Sequence, residues 1–350
     1  MNENIRNILN ILDNTKNTSI TVFGDFCLDK YLYIDPARDE ESLETGLIAY
    51  QVDNKKLFPG AGGTITNNLR ALGASVHCIG LTGDDGEGYE LNKELNKIGA
   101  NTEYMISSND IVTGTYTKPM RKAGPGSYTE MNRIDMRNFK ETPVELENKL
   151  LEHLELALNR SSGVIIIDQF IERNFSAVTD KVRTGLAVKA KEHPDKFFYA
   201  DSRGNAGLFN NVIIKCNQFE LPGKTENNKE KSKSEILRDG KNLAVKSGKP
   251  VIVTVGAEGA YVFENESISY VPAFKVTGLI DIVGAGDATN AGVMIGLASG
   301  LSLPESVLLG GCVSSLTIEQ IGVTGTTTID KVKQRLIEKL SDESFSIENF

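Results

Sequence analysis

Ile5, Ile8, Leu9 and Leu12 fall at i, i+3, i+4 and i+7, a spacing that predicts an amphipathic helix. Acidic and Asn residues interrupt this stretch, so it does not read as a signal peptide. A β-rich run follows at residues 19–23. From there short apolar runs alternate with segments of helical period. The runs at 76–81, 164–167, 197–200, 212–215, 251–255 and 260–263 predict strands. Helices are predicted at 66–73, 87–98, 143–158, 176–191 and 234–246. After residue 287 the period is helical, over 288–299, 304–319 and 329–340. Strands alternating with helices of this length predict an α/β fold: a mostly parallel central sheet with helices on both faces.

Two stretches break the rhythm, at about 28–58 and 102–137. Within the second, Thr113, Thr115 and Thr117 share one face and Tyr116 lies on the other, as in a solvated strand. Structureless loops of this length are uncommon. Both stretches are therefore read as strands that leave the main sheet and form a small β lid. Residues 223–234 are charged and polar and read as an exposed loop or helix start.

Composition narrows the function classes. The 350 residues suit one α/β domain over 1–350, since such domains often exceed the usual ~150. The 47 acidic against 38 basic residues give a net charge of -9. That balance argues against a general nucleic-acid or anionic-membrane binder. No apolar run approaches the ~18 residues of a membrane span. Cys27, Cys78, Cys216 and Cys312 are far apart and form no CxxC pair, so the cytoplasm is the expected compartment. A Walker A loop ending in Gly223-Lys224-Thr225 fails because Gln218 stands where its first Gly must be.

The segment Asp281-Ile282-Val283-Gly284-Ala285-Gly286-Asp287 runs into a helical stretch. Small residues at 284–286 let backbone N–H groups converge, and a helix N-terminus adds its positive end, so the turn suits an anion. Asp287 falls in the first turn of that helix. Phosphoryl transfer needs donors for the phosphoryl oxygens and a carboxylate for the acceptor's proton. A Gly-rich turn with a helix-starting Asp explains this segment alone equally well. Its company decides. Thr254-Val255-Gly256 and Asn217-Gln218-Phe219-Glu220 each follow a strand, Gly60-Ala61-Gly62-Gly63-Thr64 precedes a helix, and Gly24-Asp25 ends the first strand. In a parallel sheet all of these gather where α/β folds bind ligands.

In this order of motifs the chain resembles the PfkB/ribokinase family of carbohydrate and nucleoside kinases over nearly its full length. It is most similar to the heptose-phosphate kinase branch, through Gly24-Asp25, Leu28-Asp29-Lys30-Tyr31, Thr117-Lys118, Arg133-Ile134-Asp135 and Asp201-Ser202-Arg203-Gly204. The resemblance implies a ribokinase-like three-layer α/β/α sandwich and an ATP- and Mg²⁺-dependent kinase acting on a sugar or sugar phosphate. It implies Asp287 as general base and the N–H groups of Gly284, Ala285 and Gly286 as anion hole. Asn217, Glu220, Thr254, Gly256 and Arg203 fall with the nucleotide contacts, Glu220 also holding Mg²⁺ through water. Asp25, Asp29, Gly60, Ala61, Thr64, Asp168 and Arg133 fall with the acceptor. Asp281 matches a monovalent-cation position, for K⁺, which the 322–326 loop completes. The lid mediates homodimers in several members. Three departures touch the acceptor side or its neighbourhood: Thr64 where the family usually has Asn, Ile282 for Thr, and Gln169-Phe170-Ile171-Glu172-Arg173 where heptose-type kinases carry a Lys-Gly soon after the Asp matching Asp168. A nucleoside kinase with Phe26, Tyr31, Tyr33 or Tyr116 as base platform, and a non-catalytic sugar-binding regulator, remain the alternative readings.

Overall fold

The computed structural model describes residues 2–223, 231–322, 324–342 and 344–350. Of the polar stretch at 223–234, residues 224–230 lie outside the described residues. The strands are β1 (Ser19–Gly24), β2 (Phe26–Ile34), β3 (Glu40–Glu41), β4 (Ile48–Ala49), β5 (Val52–Ala61), β6 (Ser75–Gly83), β7 (Ile106–Ser108), β8 (Thr115–Gly124), β9 (Ser127–Glu130), β10 (Ile134–Met136), β11 (Gly163–Asp168), β12 (Phe197–Ser202), β13 (Ile213–Asn217), β14 (Val251–Thr254), β15 (Ala260–Glu264), β16 (Ser267–Val271) and β17 (Glu348–Asn349). The helices are α1 (Glu3–Ile11), α2 (Gly62–Ala71), α3 (Gly86–Lys97), α4 (Val144–Leu158), α5 (Asp180–Glu192), α6 (Lys233–Ser247), α7 (Ala285–Ala298), α8 (Leu303–Thr317) and α9 (Ile329–Glu338).

The β11 residues are buried on both faces, as a central parallel strand requires. Val164 and Ile166 pack towards α4, α5 and α6, whereas Ile165 and Ile167 pack towards α2, α7 and α8. The same alternation along β1, β12 and β14 builds two apolar layers, one on each side of the sheet. The sheet order is β17-β16-β15-β14-β13-β12-β11-β1-β6-β7. It is parallel from β14 to β7, with β15, β16 and β17 antiparallel at one edge. After β1 the chain builds outwards through β6, then returns to β11 on the other side. The crevice outside the carboxyl ends of β1 and β11 is thus the switch point, where open α/β sheets bind ligands.

A second sheet, β10-β8-β2-β5 with β9 on β8, stands off the main sheet beyond the carboxyl end of β1. Its strands come from residues 26–61 and 115–136. Residues 106–108, expected in it, instead pair with β6 in the main sheet. Helix α5 starts at Asp180 and not at 176. Thr179 caps it by accepting the Val182 N–H, and the Ala177 N–H is taken by Asp25, outside any helix. Helix α7 is buried on all sides from Ala288 to Leu297, between the sheet and α8, which explains its apolar character all round. No helix among the described residues is long and apolar enough to cross a membrane.

Candidate active site

The loop after β16 returns to the crevice and starts α7 with Gly284 in the left-handed region (φ +80). Asp287 is the third residue of that helix, half-buried at the helix's positive end. Burial and then the Asp201 carboxylate push its pKa up to about 7, while Lys215 and Arg203 pull it down and Asp29 adds to the rise. Five charged groups from four segments of the chain therefore meet around Asp287. Among the described residues the N–H groups of Gly284, Gly286 and Asp287 donate to no protein acceptor. The Ala285 N–H, expected in the anion hole, instead closes a turn onto the Ile282 carbonyl at 3.1 Å. The uncommitted donors are thus those of 284, 286 and 287.

Asn217 and Glu220 lock each other at the end of β13. The Asn217 Oδ1 accepts the N–H groups of Phe219 (2.9 Å) and Glu220 (3.0 Å), and the Glu220 Oε2 accepts the Asn217 N–H at 2.9 Å. Among the described residues this leaves the Glu220 Oε1 uncommitted. Burial and Asp201 raise the Glu220 pKa, against Lys215. Thr254 pairs with Asn217 across the sheet, and its carbonyl accepts the Gln218 N–H. Gly256 (φ +60) is exposed at the next turn. Arg203 is exposed and makes no ion pair among the described residues, yet lies within electrostatic reach of Glu220, Asp287, Tyr116 and Cys27.

On the acceptor side, β2 and β5 bring Asp29 to Gly60, where an added Cβ would lie 2.6 Å from the Asp29 Oδ2. Lys118 holds the other oxygen of Asp29 at 2.9 Å and donates to the Tyr31 hydroxyl at 2.9 Å. Lys118, a lid cation whose charge suits a phosphate on the acceptor, is thus held by Asp29 and Tyr31. Ala61 (φ 51) caps α2. Thr64 is buried in its first turn, with a long bond to the Pro59 carbonyl (3.4 Å) and its methyl facing Gly284. Arg133 makes a two-toothed pair with Asp135 (2.6 and 2.8 Å) and lies over the Tyr116 ring at 4.7 Å. Asp281 joins two loops by accepting from Val283 (3.1 Å) and Gly322 (2.9 Å). Val323, in the loop expected to complete this position, lies outside the described residues.

Two expected acceptor residues point elsewhere. Asp25, 3% exposed, accepts the N–H groups of Gln169 (2.9 Å), Phe170 (3.4 Å) and Ala177 (3.0 Å). Its carboxylate clamps the loop after β11 through backbone donors. Burial and neighbouring Asp168 push its pKa up to about 7 against those three bonds. Asp168, 1% exposed, accepts from Ser202 (2.8 Å) and pairs with Arg183 (3.4 Å) beneath the crevice. Asp25→Ala is expected to lower stability by about 2–4 kcal/mol, since it strands three backbone donors, two half-buried and one buried. Thermal melting checks this; an unchanged Tm would show that the loop holds without the clamp.

Lys215, on β13, was invisible as a site residue because it sits among apolar strand positions. It is 6% exposed by its side chain and pairs with Asp201 at 2.9 Å. Asp201 also accepts from Asn290 (2.6 Å), whose carbonyl oxygen accepts from Tyr199 (2.9 Å).

Residues 17–330 match the pfkB family carbohydrate kinase model. The bifunctional protein HldE of Gluconobacter oxydans is 24% identical over 341 residues, covering 95% of this chain and 67% of that protein. The chain spans about two thirds of the length of the curated relatives it matches. Ribokinase of Arabidopsis thaliana, solved with ribose and ATP, superposes with a TM-score of 0.66 at 16% identity, over 91% of this chain and 98% of its own. Phosphofructokinase-2 of Escherichia coli in complex with potassium superposes at 0.69 with 19% identity, over 92% and 98%. The fold is ribokinase-like, and with its model match running from β1 to the start of α9 the chain belongs to the pfkB family of carbohydrate kinases.

Proposed function

We propose that the chain transfers the γ-phosphoryl group of Mg·ATP to a hydroxyl of a sugar or sugar phosphate. The observation that carries this reading is Asp287, a half-buried carboxylate beside three uncommitted N–H groups at the start of α7. The acceptor oxygen attacks phosphorus in line, its proton passes to an Asp287 oxygen, and the bond to the β-phosphate oxygen breaks. The N–H groups of Gly284, Gly286 and Asp287 take the charge that gathers on the phosphoryl oxygens. Asn217, Glu220, Thr254, Gly256 and Arg203 hold the nucleotide. Among the described residues one Glu220 oxygen accepts no hydrogen bond, and it would suit a Mg²⁺ ion held through water. Bound there, the ion neutralises phosphate charge. Among the described residues each Asp281 oxygen accepts one N–H, which leaves a lone pair for K⁺. Asp29, Gly60, Ala61 and Thr64 face the acceptor, with Arg133 at its rim. The second sheet acts as the lid, and the exposed Leu43, Leu47 and Ile48 of the separate β3–β4 hairpin suit a homodimer face.

The test is acceptor-dependent ADP release from Mg·ATP and K⁺ across sugars, sugar phosphates and nucleosides. Release with sugars or their phosphates supports the reading; release with nucleosides alone replaces the acceptor class. The pH dependence follows from Asp287. Its pKa is raised, so the base form is lost below about 7. With both substrates well below saturation, the rate should fall about tenfold per pH unit below that value and level off above it. A flat profile from pH 5.5 to 8.5 would remove Asp287 as the base.

A further inference from the structure

Lysine is a poor choice for the inner face of a central strand, because an ammonium there loses its water. On β13 the alternate residues Ile214 and Cys216 enter the core on the α4–α6 side. Lys215 therefore points to the opposite side, towards α7. An added Cβ on Gly286 would lie only 3.2 Å from its Nζ. The ammonium thus sits against the turn whose N–H groups of 284, 286 and 287 are uncommitted. One of its three N–H groups bonds Asp201; the other two have no hydrogen-bond partner among the described residues. Burial pulls its pKa down, but Asp201, then Glu220, and also Asp287 carry it above the ordinary value, so the group stays charged.

Satisfying Asp201 does not explain the lysine. Asn290 already donates to the same Asp201 oxygen at 2.6 Å, and Tyr199 fixes that amide from behind. A buried ion pair adds little to stability over apolar residues of the same size. What the pair does achieve is a positive charge held at one spot. Asp201 and Asn290 fix Lys215 from one side, and its free donors face the start of α7.

We propose that Lys215 is a catalytic residue, whose Asp201-anchored ammonium donates to a non-bridging oxygen of the phosphoryl group in flight. This rests on the kinase reading above. The lysine transfers no proton; it neutralises charge that grows as the bond to the leaving oxygen lengthens.

Three proteins test this: wild type, Lys215→Met, and Lys215→Met combined with Asp201→Asn. The double variant carries no orphaned charge, so it separates chemistry from a folding defect. The expected result is a fall in kcat of about 10²–10³-fold in both variants. KM for ATP should move less than about threefold. Calorimetry with ADP and aluminium fluoride, a planar mimic of the transferred group, should show affinity falling in parallel with kcat, while ADP alone binds almost as before. Recovery of kcat in the double variant would overturn the proposal, because the single-variant loss would then come from a stranded Asp201. Equal loss of ADP and ADP–aluminium fluoride binding would also overturn it. Absence of transfer by the wild type removes the kinase reading itself and is read from that protein alone.

Discussion

Asp287→Asn is expected to lower kcat by about 10²–10⁴-fold while leaving KM for ATP within a few-fold, because only the proton acceptor is lost. The side chain keeps its size, and the N–H groups of Gly284, Gly286 and Asp287 stay where they are. The same variant should be more stable than the wild type. The sign follows from the raised pKa. The folded protein holds the Asp287 proton up to about pH 7, and the unfolded chain releases it near 3.8. Between these values the folded state binds more protons, so each rise in pH costs wild-type stability. The cost is absent below about pH 4, grows to about pH 7 and is constant above. Asparagine never ionises and escapes it. The variant should therefore melt several degrees higher at pH 8, with the gap closing towards pH 4. Full turnover in Asp287→Asn would end the assignment of the base. A variant that melts lower than wild type at pH 8 would show that the carboxylate is not strained by burial.

This conflict between stability and chemistry marks the crevice as a whole. Asp29, Asp201, Glu220 and Asp287 share it with Lys118, Arg203 and Lys215. A core optimised for stability alone would not gather them.

Local pattern made much of this legible. Apolar runs of period two and helical runs of period 3.6 located the central strands and most helices, since both depend on neighbours in the chain. The Gly-Ala-Gly-Asp turn could be read for the same reason: its N–H groups and its carboxylate lie within four residues. What escaped depends on side-chain direction. A carboxylate at the end of a strand can face the crevice or the adjacent loop. Asp29 faces the crevice; Asp25, four residues earlier, turns to Gln169, Phe170 and Ala177. Those partners lie more than 140 residues away, so nothing near Asp25 announces them. Lys215 escaped because its meaning comes from Asp201 on β12 and from Gly286 and Asn290 on α7, two distant places in the chain. The second sheet was visible as a loss of helical period. Its edge was not, because residues 106–108 look alike whether they pair with β6 or with β8.

Gly284→Ala is expected to damage the anion site without touching a charged group. Gly284 has φ +80, a conformation in which an L side chain costs about 1 kcal/mol or more. An added Cβ would also lie 2.5 Å from the Thr324 Cγ2, far inside contact distance. The neighbouring turn is not free to retreat, because the Gly322 N–H is held by Asp281. The start of α7 must move instead, and with it the donors at 284, 286 and 287. A displacement near 1 Å lengthens several charge-assisted bonds at once, and misplacement on that scale costs about 10²-fold. The loss should fall mainly on kcat, since these donors meet charge that exists chiefly in the transition state. Tm should drop by a few degrees from the strained backbone. Combining Gly284→Ala with Thr324→Ser removes the colliding methyl and leaves only the φ strain. That pair should recover most of the kcat but little of the Tm. If the single variant keeps wild-type kcat at a lowered Tm, then the N–H groups at the start of α7 do not carry the charge of the reaction. If the pair recovers Tm and not kcat, the collision with Thr324 is not what displaces them.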